Sequence, residues 1–466
     1  MRKSLMLAGA MSLAVTAAAC TSFLTDPTAA TDPNNPAVVT TGQLFTAVQA
    51  AQFLQQEGNL AFITCLFVQE CMGVGGRFVN AESQYQISNT TATAEYPAVF
   101  GAGGLLDIKT IESRSDAAAD MQYKGIAEVW EALVIGTAAD VWGDIPYREA
   151  AGSVAQPHYD PQLQVYDDVE AKLDQAITDL AGAGPGPGPN DFVYGGDVAK
   201  WTAAAHTLKA RYYLHQVEAR GNSKYQDAIT AATNGIATHA GDFNTLHTSA
   251  TFERNVWYQF SVNSGFGDDI VAGASLVNIM NAQNDPRRPQ YFGETPSGLY
   301  GGVTVNGNVG PNGISGLKGT RDDPTFSQPV VTSDENSLIL AEANFELHGA
   351  GAAQPFLDQE RTSNGLSALV ATLPSIMTEK YIALFQNIEV WSDYKRTCLP
   401  ALTPFANPTY NNQIPGRLFY GASEENTNSN TPSSAEQLQH GGDVVSGAGI
   451  DGFRNPNDPN PCPAPS

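Results

Sequence analysis

Charge is scarce in this chain and unevenly signed. Only 15% of its 466 residues are charged, and 24 Lys and Arg stand against 48 Asp and Glu, for a net charge of −24. Such an excess repels phosphate backbones and argues against nucleic acid as a partner. Long apolar runs are missing as well: residues 4–19 fall short of the ~20 residues a spanning helix needs, and no later segment is more apolar over a greater length. There is no Cys-x-x-Cys, and no His pair stands at ligand spacing beside a cysteine, so neither a metal nor a cofactor is expected. The seven histidines are scattered, and His206 and His215, on one predicted helix, are too far apart for i, i+4 chelation. His-Glu-x-x-His, Gly-x-x-x-x-Gly-Lys and Gly-x-Ser-x-Gly are all absent. Asp268-Asp269 and Asp322-Asp323 are adjacent acid pairs, yet 48 acids produce such pairs readily, and loop capping or cation binding suits them better than glycoside hydrolysis. No enzyme is expected.

What is present begins with the N-terminus. Arg2 and Lys3, the apolar residues 4–19 and the small run Ala17-Ala18-Ala19 before Cys20 read as a secretory signal of lipoprotein type. That makes 1–19 a signal peptide, Cys20 the lipidation site, and 20–41 a tether rich in Thr, Pro, Asp and Asn. Ser22, rather than an acidic residue, close behind the cysteine favours the outer membrane. Lipid anchorage there, with surface exposure, is the expected location. Cys65, Cys71, Cys398 and Cys462 remain, an even number suited to an oxidising compartment. Of three possible pairings we favour Cys65 with Cys71, a local staple, and Cys398 with Cys462, which would pin the tail.

Helical periodicity dominates the rest. Before Trp142, apolar residues recur at Ile126, Val129, Trp130, Leu133, Val134 and Val141, the spacing of a buried helical face. Gly143 can end that helix and Pro146 turns the chain away. Asp160-Pro161 reads as a cap with a first-turn proline. Helices are predicted from about 42 to 71, from 198 to 219, from 223 onward, from 334 to 348 and from 374 to 394. The paired helices rich in Ala and Tyr look like tetratricopeptide-type hairpins. The expected fold is therefore mostly α. Helical scaffold is expected over about 42–240 and 334–395, with a loop-rich, aromatic insert over 241–333 and a low-complexity tail over 426–466; on length the chain could make about three domains or one large unit. For Asp285-Pro286-Arg287 and for Trp391, Asp393 and Arg396, buried structural roles are expected.

Several motifs stand in a telling order. Asp32-Pro33-Asn34-Asn35-Pro36, Trp142-Gly143-Asp144-Ile145-Pro146-Tyr147, Tyr194-Gly195-Gly196-Asp197 with Trp201, Asp285-Pro286-Arg287, Ala341-Glu342-Ala343, Trp391-Ser392-Asp393-Tyr394-Lys395-Arg396-Thr397 and Ile414-Pro415-Gly416-Arg417 span most of the mature chain. Together they resemble the SusD/RagB-like nutrient-binding outer-membrane lipoproteins. Cys398 and the Cys-bearing tail depart from that pattern. The resemblance implies one helical domain over 42–425 with a loop-rich ligand-binding face, acting as a lid on a SusC-like TonB-dependent β-barrel transporter that captures oligosaccharides, or peptides, for import. A surface glycoside hydrolase or an adhesion protein on the same scaffold is the alternative.

Sugars present C–H faces to aromatic rings and hydroxyls to amides and carboxylates. On that chemistry the ligand-binding candidates are Trp257, Tyr258, Tyr291 and Tyr300, with Asn255, Asn263 and Asp268 as polar partners.

Overall fold

The computed structural model describes residues 39–263, 265–440 and 462. The chain divides into two compact units, Met1–Leu44 and Phe45–Ser466. Of the first, residues 39–44 are described; the signal peptide, Cys20 and nearly all of the tether lie outside the described residues.

Helix α1 (Thr41–Glu57) is followed by α2 (Asn59–Phe67), whose residues from Leu60 to Phe67 are all buried, and by the short strand β1 (Cys71–Gly73). Helices α3 (Leu105–Ala117) and α4 (Met121–Trp142) come next, and α4 is the central rod, buried from Gly125 to its end. Its N-terminus is capped by Asp120, which accepts from the Tyr123 amide at 3.1 Å. Close packing depends on Gly136, where a Cβ would lie 2.1 Å from the Tyr212 ring. Gly143 ends the helix at φ +83°, a conformation that suits glycine alone.

The turn after α4 welds three parts of the chain. Asp144 Oδ1 accepts from the Gln162 amide at 2.8 Å, so it caps α5 (Gln162–Leu180). Asp160 was the expected cap; it instead pairs with Ile145 in a β-bridge, and Pro161 occupies the cap position itself. Trp142 Nε1 donates to the Phe419 carbonyl at 3.1 Å, and Tyr420 donates to the Asp144 carbonyl at 2.6 Å.

Helices α6 (Val198–Leu214) and α7 (Ser223–Ala232) follow, then β2 (Phe243–Asn244), α8 (Val256–Ser261), β3 (Ile270–Ala272) and α9 (Ala274–Ala282). Strand β4 (Pro329–Val331) leads into α10 (Ser333–His348), α11 (Ala350–Ser363), α12 (Leu373–Ala383) and α13 (Glu389–Thr397). The pairs α4/α5, α6/α7 and α10/α11 pack as tetratricopeptide-like hairpins, with α10 also against α7 and α12. Small residues make the seams: Ala210, Ala228, Ala231 and Ala343 are buried together with Leu214 and Ile339. Helix α11 goes unread in the sequence because Pro355 lies inside it. The single helix expected over 374–394 is broken between α12 and α13, where Gln386 takes φ +67°.

Buried ion pairs join the helices. Arg287 reaches Asp285 at 2.7 Å, Glu379 at 2.9 Å and Glu360 at 3.0 Å. Asp393 accepts from Lys380 at 2.8 Å and from Arg396 at 2.6 Å, and Arg396 also holds Glu342 at 2.9 Å.

Two disulfides are present, Cys65–Cys71 and Cys398–Cys462. The segment read as a low-complexity tail carries helix α14 (Ser434–His440), whose buried Gln437 accepts from Arg417 Nη2 at 3.2 Å and from the Tyr420 amide at 3.0 Å. Composition alone hid that anchor.

Candidate functional site

The loop-rich face is organised by the antiparallel ribbon of β1 and β3, which pairs Cys71 with Ala272, Met72 with Val271 and Gly73 with Ile270. The Cys65–Cys71 bridge ties this ribbon to the end of α2. The loop after α9 rides on it, since Val303 N donates to the Ala272 carbonyl at 3.0 Å and Ala272 N to the Ser315 carbonyl at 3.0 Å. Met72, Val271, Val303 and Val305 are buried together, and Phe405 packs on them from a strap formed by residues 400–410. The strap starts just past α13, beside the Cys398–Cys462 bridge.

Two clefts flank the strap. The first, about 480 Å³, lies between the N-terminal part of α9, the loop at 304–308 and strap residues 400–403. Its polar side chains are amides and hydroxyls, among them Gln69, Ser275, Asn278, Asn306, Asn308 and Thr403. Gln69 holds the wall together, accepting from Ser275 Oγ at 2.9 Å and donating to the Thr403 carbonyl at 2.7 Å. The second cleft, about 450 Å³, is walled by Tyr85, Ile87, Phe405, Asn407, Thr409 and Tyr410 among others. Asn407 Nδ2 donates to the Gln84 and Tyr85 carbonyls at 3.0 and 3.2 Å, which fixes the strap against that wall. A third cleft, about 370 Å³, opens between residues 237–240 and helices α10 and α11. There the carboxylate of Asp334, 2.9 Å from His239 Nε2, lifts the imidazole pKa to about 9.

The sequence-chosen residues fall in different places. Trp257 is only 5% exposed, its ring 4.4 Å from that of Phe62, so it is an aromatic plug beneath the face rather than a platform on it. Asn255 is buried too: it caps α8 by accepting from the Tyr258 amide at 3.0 Å and donates to the Phe326 carbonyl at 3.1 Å. Tyr291 is buried against Phe385, with ring centroids 4.5 Å apart, and its hydroxyl donates to the Ile382 carbonyl at 3.0 Å. Apolar ring area drives Trp257 and Tyr291 into packing wherever a partner is close. Tyr258 and Tyr300 stay half-buried, near Arg254 and Arg288 at 6.0 and 5.5 Å, while Asn263 and Asp268 are exposed. Asp268 pairs with Lys318 at 2.7 Å. Asn255, Trp257 and Tyr258 share one short helix; Tyr300 is held elsewhere, its carbonyl accepting from Asn281 at 2.9 Å. Sequence reasoning did not single out Gln69, Asn278, Asn306 or the strap. The only local signal for the strap was its prolines, Pro400, Pro404 and Pro408.

Both acids of the second pair already have partners, Asp323 in its own loop and Asp322 at the end of α8. Asp323 Oδ1 accepts from Thr325 N and Oγ1 at 2.7 and 2.6 Å, and Asp322 accepts from Ser261 Oγ. In the core, Asp140, His215 and Glu389 could each offer a ligand atom within 4.8 Å of the others. One ion could not use that arrangement well, because Nδ1 already meets Asp140 at 2.7 Å and Nε2 meets Glu389 at 2.8 Å. Burial depresses the imidazole pKa, but the two carboxylates outweigh it and hold it at about 10. His215 is thus an imidazolium bolt between α4, α6 and α13.

Residues 33–359 match the family described as "Starch-binding associating with outer membrane", and residues 364–448 match the "Susd and RagB outer membrane lipoprotein" family. No curated protein matches the sequence. Among solved structures, a chitin-binding SusD homologue from Flavobacterium johnsoniae is 20% identical, with a TM-score of 0.73 over 90% of this chain and 97% of its own. A SusD-like protein from Bacteroides thetaiotaomicron is 20% identical, with a TM-score of 0.72 over 89% of this chain and 99% of its own. A chitin-binding protein, 23% identical, gives a TM-score of 0.71 over 89% and 99%. These likenesses carry the fold, and with the match over residues 33–359 they establish that the chain belongs to the SusD-like family of outer-membrane proteins.

Proposed function

We propose that this protein captures oligosaccharides at the cell surface, anchored by lipid on Cys20, and hands them to a SusC-like TonB-dependent β-barrel transporter. The observation that carries capture is the first cleft, in which amides and hydroxyls stand among apolar side chains, the chemistry that a polyhydroxylated ligand requires. Tyr258, Tyr300, Asn263 and Asp268 line neither cleft of the strap; they remain half-buried or exposed and are candidates for contacts outside the clefts only. Family membership supports the outer-membrane setting, and the chitin-binding relatives support a glycan as ligand. Among the described residues no helix is long and apolar enough to cross a membrane, which suits attachment through the N-terminal tether.

Purification from outer membranes in mild detergent tests the assignment. The protein is expected to carry palmitate label, to lose it in Cys20→Ser, and to co-purify with a large β-barrel protein. A lone monomer would refute delivery. Glycan binding without product is expected, and product formation would refute pure capture.

A further inference from the structure

We propose that the ligand is an uncharged, linear glycan laid across the strap, with sugar units in both clefts at once. This rests on the capture reading and adds to it the ligand's charge class and its footprint.

The footprint follows from how the two clefts share a wall. Strap residues 400–403 line the first cleft, and Phe405 to Tyr410 line the second. Val305 of the first cleft and Phe405 of the second are packed into one apolar cluster with Met72, Val271 and Val303. Phe405 N also lies 3.5 Å from the hydroxyl of Tyr85, on the far wall of the second cleft. The wall between the two troughs is therefore backed by a buried apolar cluster, and the half-buried Phe405 is the ring that it offers to a ligand. A linear glycan has the matching pattern, with apolar ring faces alternating along a chain of hydroxyls.

The charge class follows from what lines the troughs. Apart from the phenols of Tyr85 and Tyr410, none of the side chains around either cleft can ionise. That is notable on a chain with 48 acids and 24 bases, and it contrasts with the third cleft, which contains the His239–Asp334 pair. Burial raises the pKa of both phenols, so they stay neutral across the physiological range. A uronate or sulfated glycan would find no cation in either trough to replace its lost hydration, and the net charge of −24 would repel it. A peptide brings charged termini that meet the same obstacle. Neutral hydroxyls, in contrast, are matched by Asn278, Asn306 and Asn308 on one side and by Gln86 and Thr409 on the other.

Calorimetric titration of the mature chain tests this. The probes are maltose, maltohexaose, chitobiose, chitohexaose, hexagalacturonate and a mixed hexapeptide pool. Two variants remove one exposed amide from each trough, Asn306→Ala and Gln86→Ala, with thermal unfolding as the check that both remain folded. At least one neutral hexamer is expected to bind and to weaken about 5-fold in each variant, the value of one hydrogen bond. Its dimer is expected to respond to one variant only. Equal or tighter binding of hexagalacturonate or peptide overturns the charge class. A hexamer that binds the wild type and both variants alike overturns the footprint while leaving capture intact. Silence from every probe counts against capture itself, and the proposal falls with it.

Discussion

His215 offers the sharpest check on the physical account of the core. Its ring lies between Asp140 at 2.7 Å and Glu389 at 2.8 Å, beside the rings of Tyr166 and Tyr212. Two further cations stand close by, Lys395 Nζ donating to the backbone carbonyl of Asp140 at 2.5 Å and Arg211 standing 3.6 Å from the Glu389 carboxylate. The folded imidazole has a pKa of about 10, against about 6.5 in an unfolded chain. Because the folded value is the higher one, its stabilisation is complete below the unfolded pKa and is lost as pH rises through the folded one. Inside that window each pH unit removes about 1.4 kcal/mol. Between pH 7 and pH 9 the loss is roughly 3 kcal/mol, a sizeable part of a typical ~5–15 kcal/mol total. Lysines and tyrosines also titrate on the alkaline side, so the comparison is with His215→Gln, which keeps an amide donor and acceptor but does not ionise. Urea unfolding followed by tryptophan fluorescence is expected to show the wild-type advantage narrowing by roughly 3 kcal/mol over that range. A wild-type advantage that stays constant with pH would show a neutral ring and refute the bolt.

The other expectations concern packing and cross-links. Arg287→Met leaves the carboxylates of Asp285, Glu360 and Glu379 buried around an apolar side chain, and should cost about 3–5 kcal/mol by chemical denaturation. A loss below ~1 kcal/mol would mean that the neighbouring Arg361 carries the cluster alone. Trp257→Ala should lower stability by about 3–5 kcal/mol, because the buried ring is packed on Phe62; weakened glycan binding at unchanged stability would return Trp257 to the ligand face. Cys398→Ser opens the bridge to Cys462, which spans 64 residues, and should cost about 2–4 kcal/mol. A melting temperature equal to that of wild type would show that the tail is held by other contacts.

The difference between what the sequence discloses and what it conceals has a physical origin. Helix α4 and its Trp142-Gly143-Asp144 turn are legible because an apolar period, a glycine and a proline each act locally, within a few residues. Asp285-Pro286-Arg287 is legible for a related reason, since an arginine set among apolar helices must find carboxylates once buried. Asp144 is harder: its partner, the Gln162 amide, lies eighteen residues on, and the nearer Asp160 has the same chemistry. Aromatics in a loop-rich stretch are harder still. Phe252 is 95% exposed and Trp257 only 5%, five positions apart, because one sits at a loop tip and the other beneath Phe62. Composition reports that rings are present, whereas burial depends on which distant side chain arrives to cover them. The clefts are the extreme case. Their walls come from Gln69, from α9, from the loop at 304–308 and from the strap, and what brings them together is the pairing of β1 with β3 across some two hundred residues. Neutral amides in loops resemble ordinary solvated loop residues, and they carry no period, no charge and no reactive group that would set them apart. A site whose selectivity lies in having no charge is therefore the kind that becomes visible only when the fold has gathered its walls.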